Sequence, residues 1–273
     1  MLAGLIILII AAAHFFTWNM SSSYETFLSK SDQGLFQIKY LPFKGDSFLY
    51  LHGGNMSSNT AVIGVHGSPG SADNLDLYYQ DSMLMERVQL VSYDRMGFGK
   101  ASGHAEFDRL ADEATYLHQL VTRNNADTVI FLGHSYGSSV VLRYLTMFDD
   151  RIYRAVLIGS PIDPDLEKGL WWRRFLNAKL IRWLIPTSLR RCNAEIVSLK
   201  DELTAQENMI GSIDFPIIFY QGEDDKIVPA ENLNYFRERD SFPAQHKYII
   251  IPDDGHFILW SKYEEVVELL LSL

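Results

Sequence analysis

The pentapeptide Gly-His-Ser-Tyr-Gly at residues 133–137 constrains the fold more than any other part of the sequence. It follows the apolar run Thr128–Leu132, which is typical of a buried strand, and it precedes a segment, 138–148, whose apolar residues are typical of a helix. Glycines on both sides of Ser135 allow strand and helix to approach closely at a sharp turn. The pattern therefore predicts a strand, a tight turn and a helix, with the Ser135 hydroxyl exposed at the turn as a candidate nucleophile.

A carboxylate and a histidine follow strand-like runs later in the chain. Residues 215–220 are mostly apolar and lead into a loop that contains Asp225, and residues 247–251 lead into a turn that contains His256. We expect Ser135, Asp225 and His256 to converge at one edge of a sheet, where the carboxyl ends of parallel strands meet. There, His256 would take the proton of the serine hydroxyl, and Asp225 would hold the imidazole in the required tautomer.

Two further apolar runs each end in a glycine-containing turn. Residues 62–65 lead into His-Gly-Ser-Pro-Gly at 66–70, and residues 90–94 lead into Arg-Met-Gly-Phe-Gly-Lys-Ala at 95–101. Strand-like runs thus alternate with helical patterns along the chain. This alternation favours an α/β fold with a parallel sheet.

From about residue 35 onward the chain resembles the α/β-hydrolase superfamily, in particular its serine hydrolases with a helical cap. Five motifs stand in the family's order: H-G-x-P-G at 66–70, D-x-x-G-x-G-x-S at 94–101, G-x-S-x-G at 133–137, G-x-x-D-x-x-V-P at 222–229 and G-H-[FW] at 255–257. Alanine at 101 departs from the second motif, which shapes a turn rather than a reacting group. The resemblance implies a mostly parallel central sheet flanked by helices, with a helical cap insert.

The resemblance also implies the roles of individual residues. Ser135 would be the nucleophile, His256 the base and Asp225 the acid, and the backbone N–H groups of Ser68 and Tyr136 would form the oxyanion hole. The expected organisation is a signal peptide or membrane anchor over 1–20, the first part of the hydrolase core over 21–160, the cap insert over 161–214 and the second part of the core over 215–273.

Other residues compete for the role of the acid. Some are neighbours in sequence of Asp225 or His256, and others follow the strand-like run 155–159. The spacing to Val228 and Pro229 favours Asp225. The competing carboxylates are Glu223, Asp224, Asp253, Asp254, Asp163 and Asp165.

The net charge and the spacing of the histidines argue against some classes of binding partner and cofactor. The formal net charge of −10 repels phosphate backbones, so we expect no nucleic-acid partner. No histidine pair shows metal-ligand spacing, and we expect neither a metal nor another cofactor. The other histidines, among them His66 and His134, are interpreted as structural. Cys192, the one cysteine, leaves the compartment open.

The N-terminus is apolar from Leu2 to Ile10 and remains so almost to Trp18. It fits the apolar region of a signal peptide, although no positive residue precedes Lys30, and it equally fits an uncleaved anchor with Trp18 at the membrane interface. The sequence therefore predicts an exported or membrane-anchored protein and leaves both forms open.

The strand pattern stops between residues 161 and 214, and this insert is locally basic in an acidic chain. Apolar residues at helical spacing lie beside arginines, which fits either a cap over the pocket with solvated basic side chains or a segment that touches an anionic bilayer. The basic residues are Lys168, Arg173, Arg174, Lys179, Arg182, Arg190 and Arg191. The apolar ones are Trp172, Phe175, Leu176, Leu180, Trp183 and Leu184.

Together these features predict a lipase-like serine esterase that cleaves a small-molecule ester with an apolar portion through an acyl-enzyme. The same fold also hosts aminopeptidases, for which Glu195, Glu202 or Glu207 could hold a substrate amine, and hydrolases of carbon–carbon bonds. A non-catalytic binding or receptor protein on this scaffold is the alternative of a different class, because a fold alone does not establish activity.

Overall fold

The computed structural model describes residues 2–101, 109–148, 152–167, 173–176, 182–210, 213, 215–237 and 246–273. Its centre is an eight-stranded sheet in the order β1-β2-β4-β3-β5-β6-β7-β8. The strands are β1 Phe36–Phe43, β2 Asp46–Gly54, β3 Thr60–Val65, β4 Gln89–Tyr93, β5 Thr128–His134, β6 Ile152–Ile158, β7 Ile217–Gly222 and β8 Lys247–Ile251.

The sheet is mostly parallel, as the sequence predicts. Strands β4, β3, β5, β6, β7 and β8 run parallel to one another, whereas β2 is antiparallel to both β1 and β4. The β1–β2 hairpin was not predicted. Its turn holds Lys44 and Gly45 at φ values of 48° and 88°, a left-handed pair that suits a two-residue hairpin loop.

Helices cover both faces of the sheet. Along β5, Val129 and Phe131 belong to one buried apolar cluster, and Ile130 and Leu132 belong to a second one. Because successive side chains of a strand point to opposite faces, the two clusters lie on opposite sides of the sheet. The helices are α1 Leu2–Leu28, α2 Asp76–Gln80, α3 Ser82–Arg87, α4 Leu110–Arg123, α5 Tyr136–Met147, α6 Arg173–Leu176, α7 Thr187–Ile210, α8 Asn234–Arg237, α9 Ile258–Ser261 and α10 Tyr263–Leu271.

Helix α1 extends beyond the apolar stretch of the sequence and its last turns enter the core. Tyr24, Phe27 and Leu28 are buried there, and the Tyr24 hydroxyl donates a hydrogen bond to Asp94 Oδ2 at 2.7 Å. The boundary placed at residue 20 therefore falls inside one continuous helix. Within the ranges given above, no helix combines the length and apolarity that crossing a membrane requires.

Between residues 161 and 214 the described residues form helices and irregular structure, without a strand. Helix α7 is the longest element of this segment, and its buried Leu199 and Leu203 join the apolar cluster that contains Val129 and Phe131. Lys168, Trp172, Lys179 and Leu180 lie outside the described residues. The side chains of Arg174, Phe175 and Arg182 also lie outside the described part of the structure.

Candidate active site

Ser135 occupies the sharp turn between β5 and α5. Its backbone has φ 52° and ψ −127°, a strained conformation for a residue with a side chain. Close packing explains the flanking glycines: a Cβ on Gly137 would overlap the backbone carbonyl of Val65, and one on Gly133 would lie 2.9 Å from Ser138 Cα. The turn is also tied to the neighbouring strand, since the Ser135 N–H donates to the Ile158 carbonyl at 2.8 Å.

The imidazole of His256 contacts both other predicted site residues. Its Nε2 lies 3.0 Å from Ser135 Oγ, and its Nδ1 lies 2.7 Å from Asp225 Oδ2. A neutral imidazole with its proton on Nδ1 would donate to Asp225 and accept from the serine hydroxyl. The structure thus brings together three residues that come from the ends of β5, β7 and β8.

Both carboxylate oxygens of Asp225 accept hydrogen bonds. Its Oδ1 accepts the N–H groups of Ile227 and Val228 at 2.9 and 2.8 Å, and its Oδ2 accepts Gln221 Nε2 at 3.1 Å as well as His256. Burial alone raises the pKa of this carboxyl. The hydrogen bond and charge of His256 and the two amides outweigh burial and hold the pKa of Asp225 below its ordinary value.

The competing carboxylates lie elsewhere. Glu223, Asp224, Asp253 and Asp165 are exposed. Asp254 accepts hydrogen bonds from the Gly255 N–H and the Ser261 hydroxyl, and Asp163 accepts the N–H of Asp165. Among the described residues, Asp225 is the carboxylate that pairs with His256.

The loop after β3 packs directly on the serine turn. A Cβ on Gly67 would lie 3.0 Å from Ser135 Cβ, so the backbone that leads to Ser68 passes close to the hydroxyl. Tyr136 begins α5, and its N–H is one of the first four of the helix, which have no intrahelical acceptor. The two predicted oxyanion donors therefore flank Ser135.

His134 packs against His256, the candidate base. Its Nε2 lies 3.0 Å from the backbone carbonyl of His256, and the centroids of the two rings are 5.0 Å apart. Burial, followed by the proximity of His256, lowers the pKa of His134 to about 4. Gly159 makes room on the other side, because a Cβ there would lie 3.1 Å from His256 Nδ1.

A buried cluster of charges lies behind the loop after β3, and no sequence pattern indicates it. Arg95 is fully buried and forms a paired contact with Glu195 of α7, with N···O distances of 2.8 and 3.1 Å. Glu113 of α4 lies 3.4 Å from the same guanidinium, and Arg191 lies 3.6 Å from Glu195. Arg191, predicted as part of the basic surface of the insert, is instead buried.

No three His, Cys, Asp or Glu side chains in the described part of the chain converge as metal ligands would. The groups that face Ser135 are an imidazole, a carboxylate behind it and backbone amides. This set can move a proton and stabilise a developing oxyanion without an added group.

Comparisons with known proteins identify the family of the chain. A proline iminopeptidase of Lacticaseibacillus rhamnosus is 33% identical over 130 residues, which cover 45% of this chain and 43% of that protein. A proline iminopeptidase of Lactobacillus crispatus is 22% identical over 285 aligned residues, 84% of this chain and 95% of the relative. The chain thus spans less than half the length of the first relative and nearly all of the second.

The crystal structure of a membrane phospholipase A, described as a bacterial virulence factor, superposes with a TM-score of 0.68 at 17% identity, over 99% of this chain and 96% of that one. At this identity the likeness concerns the fold. The model of the alpha/beta hydrolase family matches residues 62–269, most of the chain. The chain is therefore a hydrolase that belongs to the alpha/beta hydrolase family.

Proposed function

We propose that the protein is a serine hydrolase that cleaves a carboxylic ester with an apolar portion through an acyl-enzyme. The observation that carries the proposal is the hydrogen-bonded series from Ser135 Oγ through His256 to Asp225, at 3.0 and 2.7 Å. Such a series turns a weakly nucleophilic hydroxyl into one that can attack a carbonyl at neutral pH.

In the first half of the reaction, Ser135 Oγ attacks the ester carbonyl carbon while His256 Nε2 takes the hydroxyl proton. The carbonyl oxygen becomes an oxyanion, which accepts hydrogen bonds from the N–H groups of Ser68 and Tyr136. Collapse of this intermediate breaks the bond to the alkoxy group, which leaves with the proton from His256. Water then attacks the acyl-enzyme by the same steps and releases the acid.

Apolar side chains near the triad favour an apolar substrate. The Phe257 ring lies 5.7 Å from the His256 ring and is 60% exposed, and Ile227, two residues after Asp225, is 63% exposed. We propose that these two side chains contact the apolar portion of the substrate.

An aminopeptidase is the second candidate, and the contacts of Glu195 and Glu202, two of the three carboxylates that could hold its substrate amine, argue against these two in that role. A substrate α-amine needs a free carboxylate, whereas Glu195 is fully buried and paired with Arg95. Glu202 accepts the Leu110 N–H at 3.3 Å. Carbon–carbon bond cleavage and non-catalytic binding rank lower, because no specific contact of the described residues favours either one.

A fluorophosphonate probe and two substrate series test the proposal. Wild-type protein should be labelled, and it should hydrolyse p-nitrophenyl esters of graded acyl length faster than aminoacyl anilides. Ser135→Ala should abolish labelling and lower kcat by roughly 10⁴-fold or more, and Asp225→Asn should lower it by about 10⁴-fold. Ser57→Ala, in an exposed turn, is the matched control. An unlabelled wild type, or esterase activity that survives Ser135→Ala, would remove the proposal.

We also propose that the protein is exported or membrane-attached, with helix α1 at a bilayer surface. Apolar side chains are exposed over the first part of the helix, including Phe15 at 66% and Trp18 at 64%. Trp183 of the insert is 72% exposed, and His14 Nε2 lies 3.1 Å from the Leu184 carbonyl, so the insert and α1 meet there. Tryptophan and phenylalanine beside polar groups favour a membrane interface.

Co-sedimentation with vesicles tests this attachment. The full chain should sediment with vesicles, and a chain that begins at residue 21 should lose most of this binding. If the basic residues of the insert contribute, the shortened chain should retain some binding to anionic vesicles and none to neutral ones. Equal recovery of the full and shortened chains in the supernatant would contradict the attachment.

A further inference from the structure

The buried guanidinium of Arg95 contacts the backbone of the loop that holds one predicted oxyanion donor. Arg95 Nε donates to the His66 carbonyl at 2.9 Å, and its Nη2 donates to the Gly67 carbonyl at 3.1 Å. The Gly67 carbonyl also lies 2.7 Å from His66 Nδ1. The second of these carbonyls belongs to the same peptide unit as the Ser68 N–H.

The geometry of that shared peptide unit determines where the Ser68 N–H points. The Gly67–Ser68 peptide is trans, since the cis peptide in the described residues is the next one, Ser68–Pro69. In a planar trans peptide the C=O and N–H point in opposite directions. Holding the Gly67 oxygen toward Arg95 therefore fixes the line along which the Ser68 N–H points away, and hydrogen bonds to the oxygen polarise that N–H.

The same guanidinium also contacts the second donor residue. Its central carbon lies 4.7 Å from the centroid of the Tyr136 ring, within the range of a cation–π contact. Tyr136 carries the other predicted oxyanion N–H. One guanidinium thus contacts the backbone of the loop that carries the Ser68 N–H and the side-chain ring of Tyr136, the other donor residue.

Carboxylates on two helices hold Arg95 in this position. Glu195 of α7 forms the bidentate pair, and Glu113 of α4 makes the longer contact. Burial by itself lowers the pKa of Arg95, but the charges of Glu195 and Glu113 outweigh it and raise the pKa overall, so the side chain stays cationic. A bidentate pair fixes the plane of a guanidinium as well as its place.

We propose that Arg95 is a positioning residue of the oxyanion hole, and that Glu195 of helix α7 sets its orientation. Helix α7 of the insert then supports the chemistry of Ser135 through the pair of Glu195 and Arg95. This inference rests on the proposed serine-hydrolase function. A residue that only stabilised the fold would affect the unfolding free energy without selectively weakening transition-state binding.

Two variants test the proposal, each with a matched control. Arg95→Lys keeps the charge, but a single ammonium cannot reproduce the planar fork that reaches both carbonyls and Glu195. Glu195→Gln keeps the shape and removes the charge that orients Arg95. Arg87→Lys and Asp201→Asn make the same chemical changes at exposed positions, the latter on helix α7 itself.

The measurements separate oxyanion binding from substrate binding. In both variants kcat for a p-nitrophenyl ester should fall about 10- to 100-fold, as expected when a reacting group is misplaced by a fraction of an ångström, with KM changed less than about threefold. The Ki of an alkyl trifluoromethyl ketone, whose adduct with Ser135 carries an oxyanion, should rise in parallel with the loss of kcat/KM. The Ki of the corresponding alcohol, which forms no oxyanion, should stay within about threefold, and both controls should match wild type.

The outcomes distinguish this inference from the proposed function. Variants that fold, as judged by circular dichroism, and that keep the wild-type kcat and ketone Ki would overturn the positioning role and leave the hydrolase intact. A loss in which the ketone and the alcohol weaken equally would also overturn it. Should Arg95→Lys fail to fold, Glu195→Gln decides alone. A wild type that neither reacts with fluorophosphonate nor hydrolyses esters would instead remove the function on which the inference rests.

Discussion

Two buried histidines lie beneath the candidate site and remain neutral. His66 accepts the Arg95 N–H at Nε2 and lies against the Gly67 carbonyl through Nδ1, which leaves its ring fully engaged. His134 contacts the His256 backbone. Burial lowers the pKa of both rings, and for His134 the value falls to about 4. Neither ring can take a proton without a charge entering the core, so protonation of these rings should destabilise the fold.

We predict that His134→Gln makes the protein less sensitive to acid. The pKa of His134 is near 6.5 in the unfolded chain and about 4 in the folded one, so its stabilising contribution is complete above pH 6.5 and is lost as the pH falls toward 4. Between pH 7.5 and 4.5 the wild type should lose about 2 to 3 kcal/mol of unfolding free energy more than the variant. Urea denaturation at both pH values measures this. Equal losses in the two proteins would contradict it, and Ser135→Ala, which adds no titrating group, serves as control.

At the scale of single residues, the side chains that could be predicted from the sequence are those that belong to short motifs. Ser135, Asp225 and His256 each stand in a local pattern, and the structure brings their side chains together. The pair of Arg95 and Glu195 has no such pattern, because its members are 100 positions apart and meet only when α7 packs against the turn after β4. Arg191 appeared basic and solvated for the same reason.

At the turn between β5 and α5, helix α5 packs very close to the end of β3 in the sheet. Helix α5 begins directly at the end of β5, and Gly137 in its first turn faces the carbonyls of Val65 and His66. The ends of β3 and β5, which carry the oxyanion loop and the nucleophile, are thereby fixed against each other. Any side chain at residue 137 would force these elements apart.

Gly137→Ala should therefore destabilise the protein by about 3 kcal/mol or more, because the added methyl overlaps backbone that cannot move independently. Gly255→Ala is the matched control, since a Cβ there meets its nearest atom, Asp224 O, at 3.9 Å. Thermal and urea unfolding of the two variants provide the comparison. A Gly137→Ala protein as stable as the control would show that α5 can shift away from β3 at little cost.

The parallel strands could be predicted because each is an apolar run that ends at a recognisable motif. The observed β3, β4, β5, β6, β7 and β8 match these runs to within a few residues. The β1–β2 hairpin was missed because neither of its strands leads into one of the motifs, although the alternation in β1 is typical of a strand. Its pairing with β4 depends on register across the sheet, which no short pattern encodes.

Over the whole molecule, helix α1 joins three parts of the protein. Its first half presents apolar side chains to the outside and meets the insert at Leu184. Its last turns are buried, and Tyr24 reaches Asp94, whose carboxylate also accepts the N–H groups of Ala72 and Lys100. The sequence predicted the apolar half of the helix and the change to polar residues after Trp18. It did not predict the buried half, because Tyr24, Phe27 and Leu28 stand among polar residues.

Two truncations should separate these halves. Removing residues 1–20 should leave the unfolding free energy nearly unchanged, since the buried side chains remain. Removing residues 1–28 should lower it by about 4 kcal/mol or more, because a phenylalanine, a leucine and a tyrosine leave the core together. Chemical denaturation of the two chains measures the difference. Equal stability would mean that the end of α1 contributes nothing to the folded core.

The contact between Ser135 and His256 spans 121 positions, and the base follows the last strand of the sheet. A chain growing on the ribosome therefore presents the Ser135 hydroxyl long before His256, the residue that would activate it, has been added. An ester that encounters the unfinished polypeptide meets a Ser135 hydroxyl that His256 does not yet activate. Turnover starts only after synthesis is nearly complete and β8 has joined β7, so that catalysis reports completion of the sheet.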